Sequence, residues 1–428
     1  MAGDVTVAVV HGQLSNSSTG FVDLTEADFG TPKACIVILG FDTTDDGAVQ
    51  NTSRMSIGFS DFTNHRCITH QDEHGSAKVD CDALKSNTKA YVLLNAAGSV
   101  FVDGTASIVT DGVRLTNTSA NGTPFVTVVM FGGADLQVSL DSISTPNSVG
   151  GTVKTTTNID QDLVFFIGTD ISAEDSASSG INNSFGVAHI DTSDHATFVN
   201  RAIGWSSDHN NAEGTPYASL RTARCLSIHT ETGNLDWQLE LTAADTTSYT
   251  LTERDVSSGN GMEIYALALD LDDRKSKIGS VDSPTSGATW TPSVSLGFTP
   301  QYVGLSLTDL TAEDGTISKF GAEAGALGIS SNTGAGNESC HSWYNEDDSA
   351  TIDTANLFSS NAIDFYTDDT VTQLQDHSHS SFNDGDWTYT INAENETAAK
   401  KWFYWAIETD VVAAVPVVNL VMAPYVPA

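Results

Sequence analysis

Apolar positions along this chain come in short runs bounded by turn residues. Val5–Val10 is rich in β-branched residues and predicts a strand. Between 21 and 140, strands are predicted at 34–39, 55–59, 90–94, 99–102, 113–116 and 125–131, separated by pairs such as Asp46-Gly47, Asp103-Gly104, Asp111-Gly112 and Asn121-Gly122. Further runs predict strands at 162–167, 201–205, 223–228, 235–241 and 262–271. Trp237-Gln238-Leu239-Glu240-Leu241 and Trp387-Thr388-Tyr389-Thr390-Ile391 alternate apolar and polar residues, as half-buried strands do. No stretch of a dozen residues keeps helical spacing. Ala398–Trp405 could form a helical turn or two, but its position favours a strand.

The pattern repeats. Ser56-Ile57-Gly58-Phe59-Ser60-Asp61 returns as Ser184-Phe185-Gly186-Val187-Ala188-His189 and as Ala326-Leu327-Gly328-Ile329-Ser330-Ser331. The glycines lie 186 − 58 = 128 and 328 − 186 = 142 residues apart. An apolar run precedes each: 36–40, 164–168 and 303–307. The first two, aligned on Gly40 and Gly168, are also 128 apart. A cysteine follows each glycine (Cys67, Cys225, Cys340), and runs at 128–132, 264–268 and 402–406 close the units. The expected fold is all-β: three tandem antiparallel β-sandwich domains, jelly-roll-like, at 1–141, 152–273 and 292–408. Segments 142–151 and 275–291 carry proline and glycine and read as linkers. The tail, Val411–Ala428, is uncharged and apolar but holds Pro416, Pro424 and Pro427. Those prolines oppose a membrane-spanning helix and suit an extended C-terminal arm (409–428) docking on another subunit.

Composition narrows the role. The formal charge is 18 − 55 = −37, which repels nucleic acid. The hydrophobic fraction of 39% argues for a folded chain rather than a disordered one. Five scattered cysteines make no disulfide scaffold and read as small buried apolar residues. The first residues show no signal-peptide pattern, so synthesis in a cytosol is expected.

Candidate chemistry is sparse. Cys67, His70, His74 and Cys81 offer zinc-type ligands, but their spacing fits no established zinc pattern. The acidic stretches Asp42–Gly47 and Asp270–Asp273 lack the alternating calcium-loop pattern and read as solvated turns. Asp376-His377-Ser378-His379-Ser380 is suggestive, but neighbours in sequence rarely form a catalytic set, and it reads as a loop. Trp205, Trp237, Trp290, Trp343, Trp387, Trp402 and Trp405 could line a sugar-binding face, with Trp343-Tyr344 beside Asn345 the best exposed candidate. No hydrolase elbow or phosphate loop is present. No catalytic, cofactor-binding or metal residue is assigned.

The phrases Phe29-Gly30-Thr31-Pro32-Lys33-Ala34, Met55–Ser60, Arg66-Cys67-Ile68 and Phe298-Thr299-Pro300-Gln301-Tyr302-Val303 resemble repeats in structural proteins of tailed bacteriophages, especially marine ones. That resemblance implies a virion component without enzymatic activity: a fibre, spike, tail or capsid-decorating protein. Such a component would assemble in the host cytoplasm, contact other virion proteins, form homo-oligomers and take a host surface glycan as a candidate ligand. A secreted carbohydrate-binding or carbohydrate-cleaving protein is the alternative, and an acidic halophilic β-protein a third reading. Membrane insertion and cofactors are not expected.

Overall fold

The computed structural model describes residues 4–42, 52–73, 81–207, 217–230, 234–256, 261–314, 323–331, 337–345, 354–366, 373–395 and 398–409. Among them are 31 strands and no helix. The apolar tail and its expected arm lie outside these residues, apart from Thr409.

The first ten strands are β1 (Thr6–Gln13), β2 (Phe21–Thr25), β3 (Pro32–Gly40), β4 (Thr52–Ser60), β5 (His65–Glu73), β6 (Cys81–Ser86), β7 (Tyr91–Leu94), β8 (Val100–Val109), β9 (Gly112–Ala120) and β10 (Phe125–Gly132). The next are β11 (Gln137–Ser144), β12 (Thr152–Thr156), β13 (Leu163–Thr169), the short β14 (Ser178–Ser179), β15 (Ile181–Ile190), β16 (Phe198–Ser207), β17 (Tyr217–Arg221), β18 (Leu226–His229), β19 (Leu235–Asp245), β20 (Ser248–Val256) and β21 (Glu263–Asp270). The last are β22 (Ser276–Asp282), β23 (Thr289–Trp290), β24 (Tyr302–Thr308), β25 (Glu323–Ser331), β26 (Glu338–Asn345), β27 (Thr354–Ser359), β28 (Ile363–Tyr366), β29 (Gln373–Asn383), β30 (Asp386–Glu394) and β31 (Lys401–Ile407).

They form three pairs of antiparallel sheets with one strand order. The larger sheets run β1-β10-β3-β4-β5-β6, β11-β21-β13-β15-β16-β17 and β22-β31-β24-β25-β26-β27. The smaller ones run β2-β9-β8-β7, β12-β20-β19-β18 and β23-β30-β29-β28. β14 is extra and adds to the edge at β6. Six strands facing four, with two simple meanders, differ from the eight-stranded double Greek key of a jelly roll. The segments read as linkers lie inside a sheet pair: 142–151 holds the end of β11 and the turn to β12, and 275–291 holds β22 and β23; the chain passes between pairs at 133–136 and 271–275. The Asp111-Gly112 turn is present, with Asp111 in the left-handed region (φ 58°). Residues 401–407 are strand, not helix.

The repeated glycine has a steric cause. A Cβ at Gly58, Gly186 or Gly328 would lie 1.9, 2.0 or 2.1 Å from the carbonyl oxygen of Ala90, Cys225 or Ala362. In each pair the chain entering the seventh strand crosses the fourth at this point, and only glycine leaves room. Gly58, Gly186 and Gly328 pair with Val37, Phe166 and Leu305. The first two apolar runs are therefore 166 − 37 = 129 residues apart, one more than the sequence alignment, and a one-residue slip exchanges the faces of a strand. The cysteine correspondence is also corrected. Cys67 and Cys340 face Gly58 and Gly328, but Ala202 faces Gly186, and Cys225 lies before β18. All five cysteines are free and buried.

Each large sheet is buried on both faces. One face packs on the small sheet of its own pair, around Val37 and Leu115, Phe166 and Leu239, or Leu305 and Tyr389. The other faces of all three large sheets meet in one central core containing Ile36, Phe131, Phe165, Phe185, Tyr302 and Trp405. Position by position, Ile36 pairs with Val129, Phe165 with Leu267 and Gly304 with Trp405. A Cβ on Gly304 would meet the Trp405 indole at 2.1 Å, so the third pair places nearly all its volume on one strand.

The seams between units repeat as well. Arg66 Nε donates to Ser142 Oγ (2.7 Å), and its Nη1 donates to the carbonyls of His65 and Asn87 (2.7 and 2.5 Å). Arg201 makes the same set with Ser280 (2.8 Å), Asn200 and Thr222. The third counterpart is Ser339, opposite Ile329 as Arg66 is opposite Phe59. Here Thr127 Oγ1 donates to Ser339 Oγ (2.8 Å) and lies 2.9 Å from His341 Nε2, while Phe125 stacks on Phe358 at 4.4 Å. A carboxylate after each third strand clasps the sixth strand of the preceding unit. Asp175 accepts from the Ser86 hydroxyl, Asp314 from the Thr222 backbone N–H (2.9 Å), and Asp42 from the Phe358 backbone N–H (3.2 Å). Asp175 and Asp314 both take left-handed φ, 55° and 52°. The third unit thus closes back on the first, giving a ring with threefold pseudo-symmetry.

Candidate functional site

The zinc-type set is not assembled. Cys67 packs with Leu84, Val92 and Leu94, whereas His70, on the opposite face of β5, accepts the Trp205 indole N–H (3.2 Å). Burial lowers His70 to about 3. The Cys81 thiol donates to the Ser207 carbonyl, and His74 lies outside the described residues. Among the described residues no three His, Cys, Asp or Glu side chains converge as a metal site. Of the acidic stretches, Asp42 serves the closing seam and 43–47 lie outside the description. Asp270 accepts from Gln137 (2.8 Å) and from the backbone of Asp272 (3.0 Å).

All seven tryptophans are buried; Trp290, at 8% exposure, is the most open. They are core residues and present no stacking face for sugars. Trp343 of the third unit packs on Trp205 of the second within the central core, while the side chains of Tyr344 and Asn345 lie outside the described residues.

Asp376–Ser380 is strand, within β29. His377 points inward, fully buried, edge-on to Trp290 and tilted against Trp402, with Nε2 3.7 Å from Glu394 Oε2. Gln375 is also fully buried, and neither its amide atoms nor the His377 ring nitrogens find a hydrogen-bond partner. Through Ile363, which pairs with His377 as Leu226 pairs with Leu239 and Tyr91 with Gly104, the equivalent inward positions are Val102, Gly104 and Ala106 in the first unit and Trp237, Leu239 and Leu241 in the second. In the third they are Gln375, His377 and His379. Burial lowers His379 to about 4. Glu338 accepts the backbone N–H groups of Ala362 and His379, yet burial pushes it up to about 7.

An open cleft of about 500 Å³ lies where the first two units meet. Lys85 comes from β6; Asp170, Asp236, Trp237, Met262 and Glu263 come from the second unit. The Lys85 side chain is buried and its Nζ lies 3.3 Å from Glu174, which also accepts the Tyr265 hydroxyl hydrogen (2.6 Å). Asp170 is open to the cleft on one side but crowded by protein on the other. That desolvation pushes its carboxyl up to about 6, with Asp236 adding repulsion against the relief from Asn182 and Lys85. Asn182 Nδ2 donates to Asp170 Oδ2 (2.6 Å). Sequence reading missed this grouping because Lys85, Asp170 and Asp236 are far apart in the chain and carry no motif.

No family model, curated protein or solved structure matches the chain.

Proposed function

We propose that the chain is a non-enzymatic structural component of a tailed-phage virion, serving as a fibre, spike, tail or capsid-decorating protein. Its working part is a rigid body of three sandwich-like units closed into a ring by one polypeptide. The observation that carries this reading is the closing seam, where Thr127 meets Ser339 and His341 across more than two hundred residues. Three interfaces buried in one chain favour an architectural role, since such a body keeps its shape without relying on assembly from separate subunits. The acidic surface suits a particle exposed to salty water. The apolar segment 411–428 is the element that docks on a neighbouring copy or on another virion protein, and a host surface glycan is the external ligand. The alternative, a carbohydrate-binding or carbohydrate-cleaving protein, is disfavoured by the burial of every tryptophan.

Two measurements test this reading. Light scattering of the purified chain should give a multiple of 45.2 kDa, and deletion of Val411–Ala428 should reduce it to one chain. Incubation with host polysaccharide should release no oligosaccharides; release would overturn the non-enzymatic role.

A further inference from the structure

The third unit is polar inside where the other two are apolar, and the polar groups are concentrated in one place. In strand register Val102 pairs with Ala120 in the first unit and Trp237 with Val256 in the second; the equivalent pair in the third is Gln375 with Glu394. Two residues further along the same strand, Gly104 and Leu239 give way to His377. Three equivalent positions on the neighbouring strands β29 and β30 have therefore become polar together. All three side chains are buried: Gln375 and His377 are 0% exposed and the Glu394 side chain 6%.

Polar groups inside a sandwich are ordinarily hydrogen-bonded. Neither amide atom of Gln375 nor either ring nitrogen of His377 is. His377 Nε2 stands 3.7 Å from Glu394 Oε2, too far for a hydrogen bond. It is close to the spacing of two donors on one ion: with bonds of about 2.0–2.2 Å, tetrahedral ligands stand roughly 3.3–3.6 Å apart. Gln375 lies across from Glu394 and on the same face of β29 as His377, so its amide oxygen is the third donor. The rings of Trp290 and Trp402 flank His377. Trp402 Nε1 is also buried without an acceptor. His379 packs instead on Phe382 and Tyr389. An amide as third donor sets this group apart from the His, Cys, Asp or Glu triads that the described residues lack.

We propose that His377 Nε2, Glu394 Oε2 and Gln375 Oε1 bind one divalent transition-metal ion, zinc by preference, with water as the fourth ligand. One imidazole and two oxygens suit zinc, nickel or copper, whereas calcium and magnesium take oxygen alone. The indole N–H of Trp402 is a donor only, and the bound water can accept it. The ion ties β29 to β30 and satisfies groups that are otherwise buried without partners. This inference stands apart from the virion role, since any protein with this interior would carry it.

The test is calorimetric titration and thermal unfolding of the full chain at pH 7.5, after removal of metals with EDTA and dialysis, using zinc chloride and, as control, magnesium chloride. One equivalent of zinc should bind saturably and raise Tm; magnesium should do neither. Cobalt(II) at the same stoichiometry should give the visible absorption of a tetrahedral site with one nitrogen and oxygen ligands. His377→Leu and Gln375→Leu, which each restore an apolar residue at a position apolar in the second unit, should weaken zinc binding at least about tenfold. His195→Ala, which removes a partly exposed histidine beside Asp160, should leave it unchanged. Zinc binding that is absent, no stronger than that of magnesium, or unchanged in both His377→Leu and Gln375→Leu would overturn the proposal. So would loss of binding in His195→Ala, which would place the ion on the surface.

Discussion

The second and third units share a strand order and a glycine crossing, yet fill their interiors differently. Trp237, Leu239 and Leu241 make an apolar row in one; Gln375, His377 and His379 occupy the same inward positions in the other. The crossing at Gly186 and Gly328 is set by backbone geometry and admits no alternative side chain. The row on the eighth strand tolerates polar residues, because neighbouring tryptophans, Trp290 and Trp402, supply the burial that the row itself gives up. What is shared is thus the close approach of main chains; what varies is the side-chain filling behind it.

The largest effects should fall on the shared feature. Gly186→Ala and Gly328→Ala each force a Cβ to within about 2 Å of a carbonyl oxygen, and each should cost roughly 3 kcal/mol in urea unfolding. Similar losses at both sites are expected; a loss at one alone would break the equivalence. The rows should respond in opposite directions. Leu239→His buries an imidazole where the second unit offers apolar neighbours and should cost about 2 kcal/mol. His377→Leu removes a buried ring whose nitrogens make no hydrogen bond and should be neutral or stabilising by about 1 kcal/mol, also read from urea unfolding.

The smallest expected effect is electrostatic. Burial pushes Glu253 of the second unit up to about 8, although backbone N–H groups of Gln238 and Asp255 bond its carboxylate. Asp162 and Glu338 are pushed to about 7, again by burial first. A carboxyl raised in the fold contributes most below its unfolded value near 4, and that contribution disappears as pH rises through the folded value. The buried histidines act oppositely. His229, lowered to about 3, favours the fold above pH 6.5 and loses that benefit as pH falls. The two classes compete between about 4 and 6.5, whereas between 6.5 and 8.5 the effect of the raised carboxyls dominates. Tm should therefore fall over that upper interval. Glu253→Gln should recover on the order of 1 °C at pH 8.5 and clearly less at pH 5.5; an equal change at both would remove titration as the cause.

Much of the sheet framework was legible because strands such as β3, β10 and β31 are apolar runs buried on both faces. The glycine spacing was legible because no other residue fits the crossing. β5 and β6 were missed for a physical reason. Their buried residues include Thr69, His70, Gln71, Asp72 and Lys85, of which His70, Asp72 and Lys85 meet the next unit at Trp205, Ser207 and Glu174. Nothing in a local window distinguishes them from a solvated loop. The ring was illegible on the same ground, since Arg66 with Ser142 and Thr127 with Ser339 are pairings between distant segments. The paired carboxylates in the cleft were likewise two acidic residues among 55.

The central claim is that the third unit closes on the first. Thr127→Cys with Ser339→Cys tests it, because the hydroxyls they replace are 2.8 Å apart and the native thiols are buried, four of them with thiols pushed above the usual range. Mild oxidation of the folded double variant, read by peptide mass mapping, should give a near-stoichiometric disulfide within one chain. No 127–339 disulfide, or one found only between chains, would contradict the closed ring.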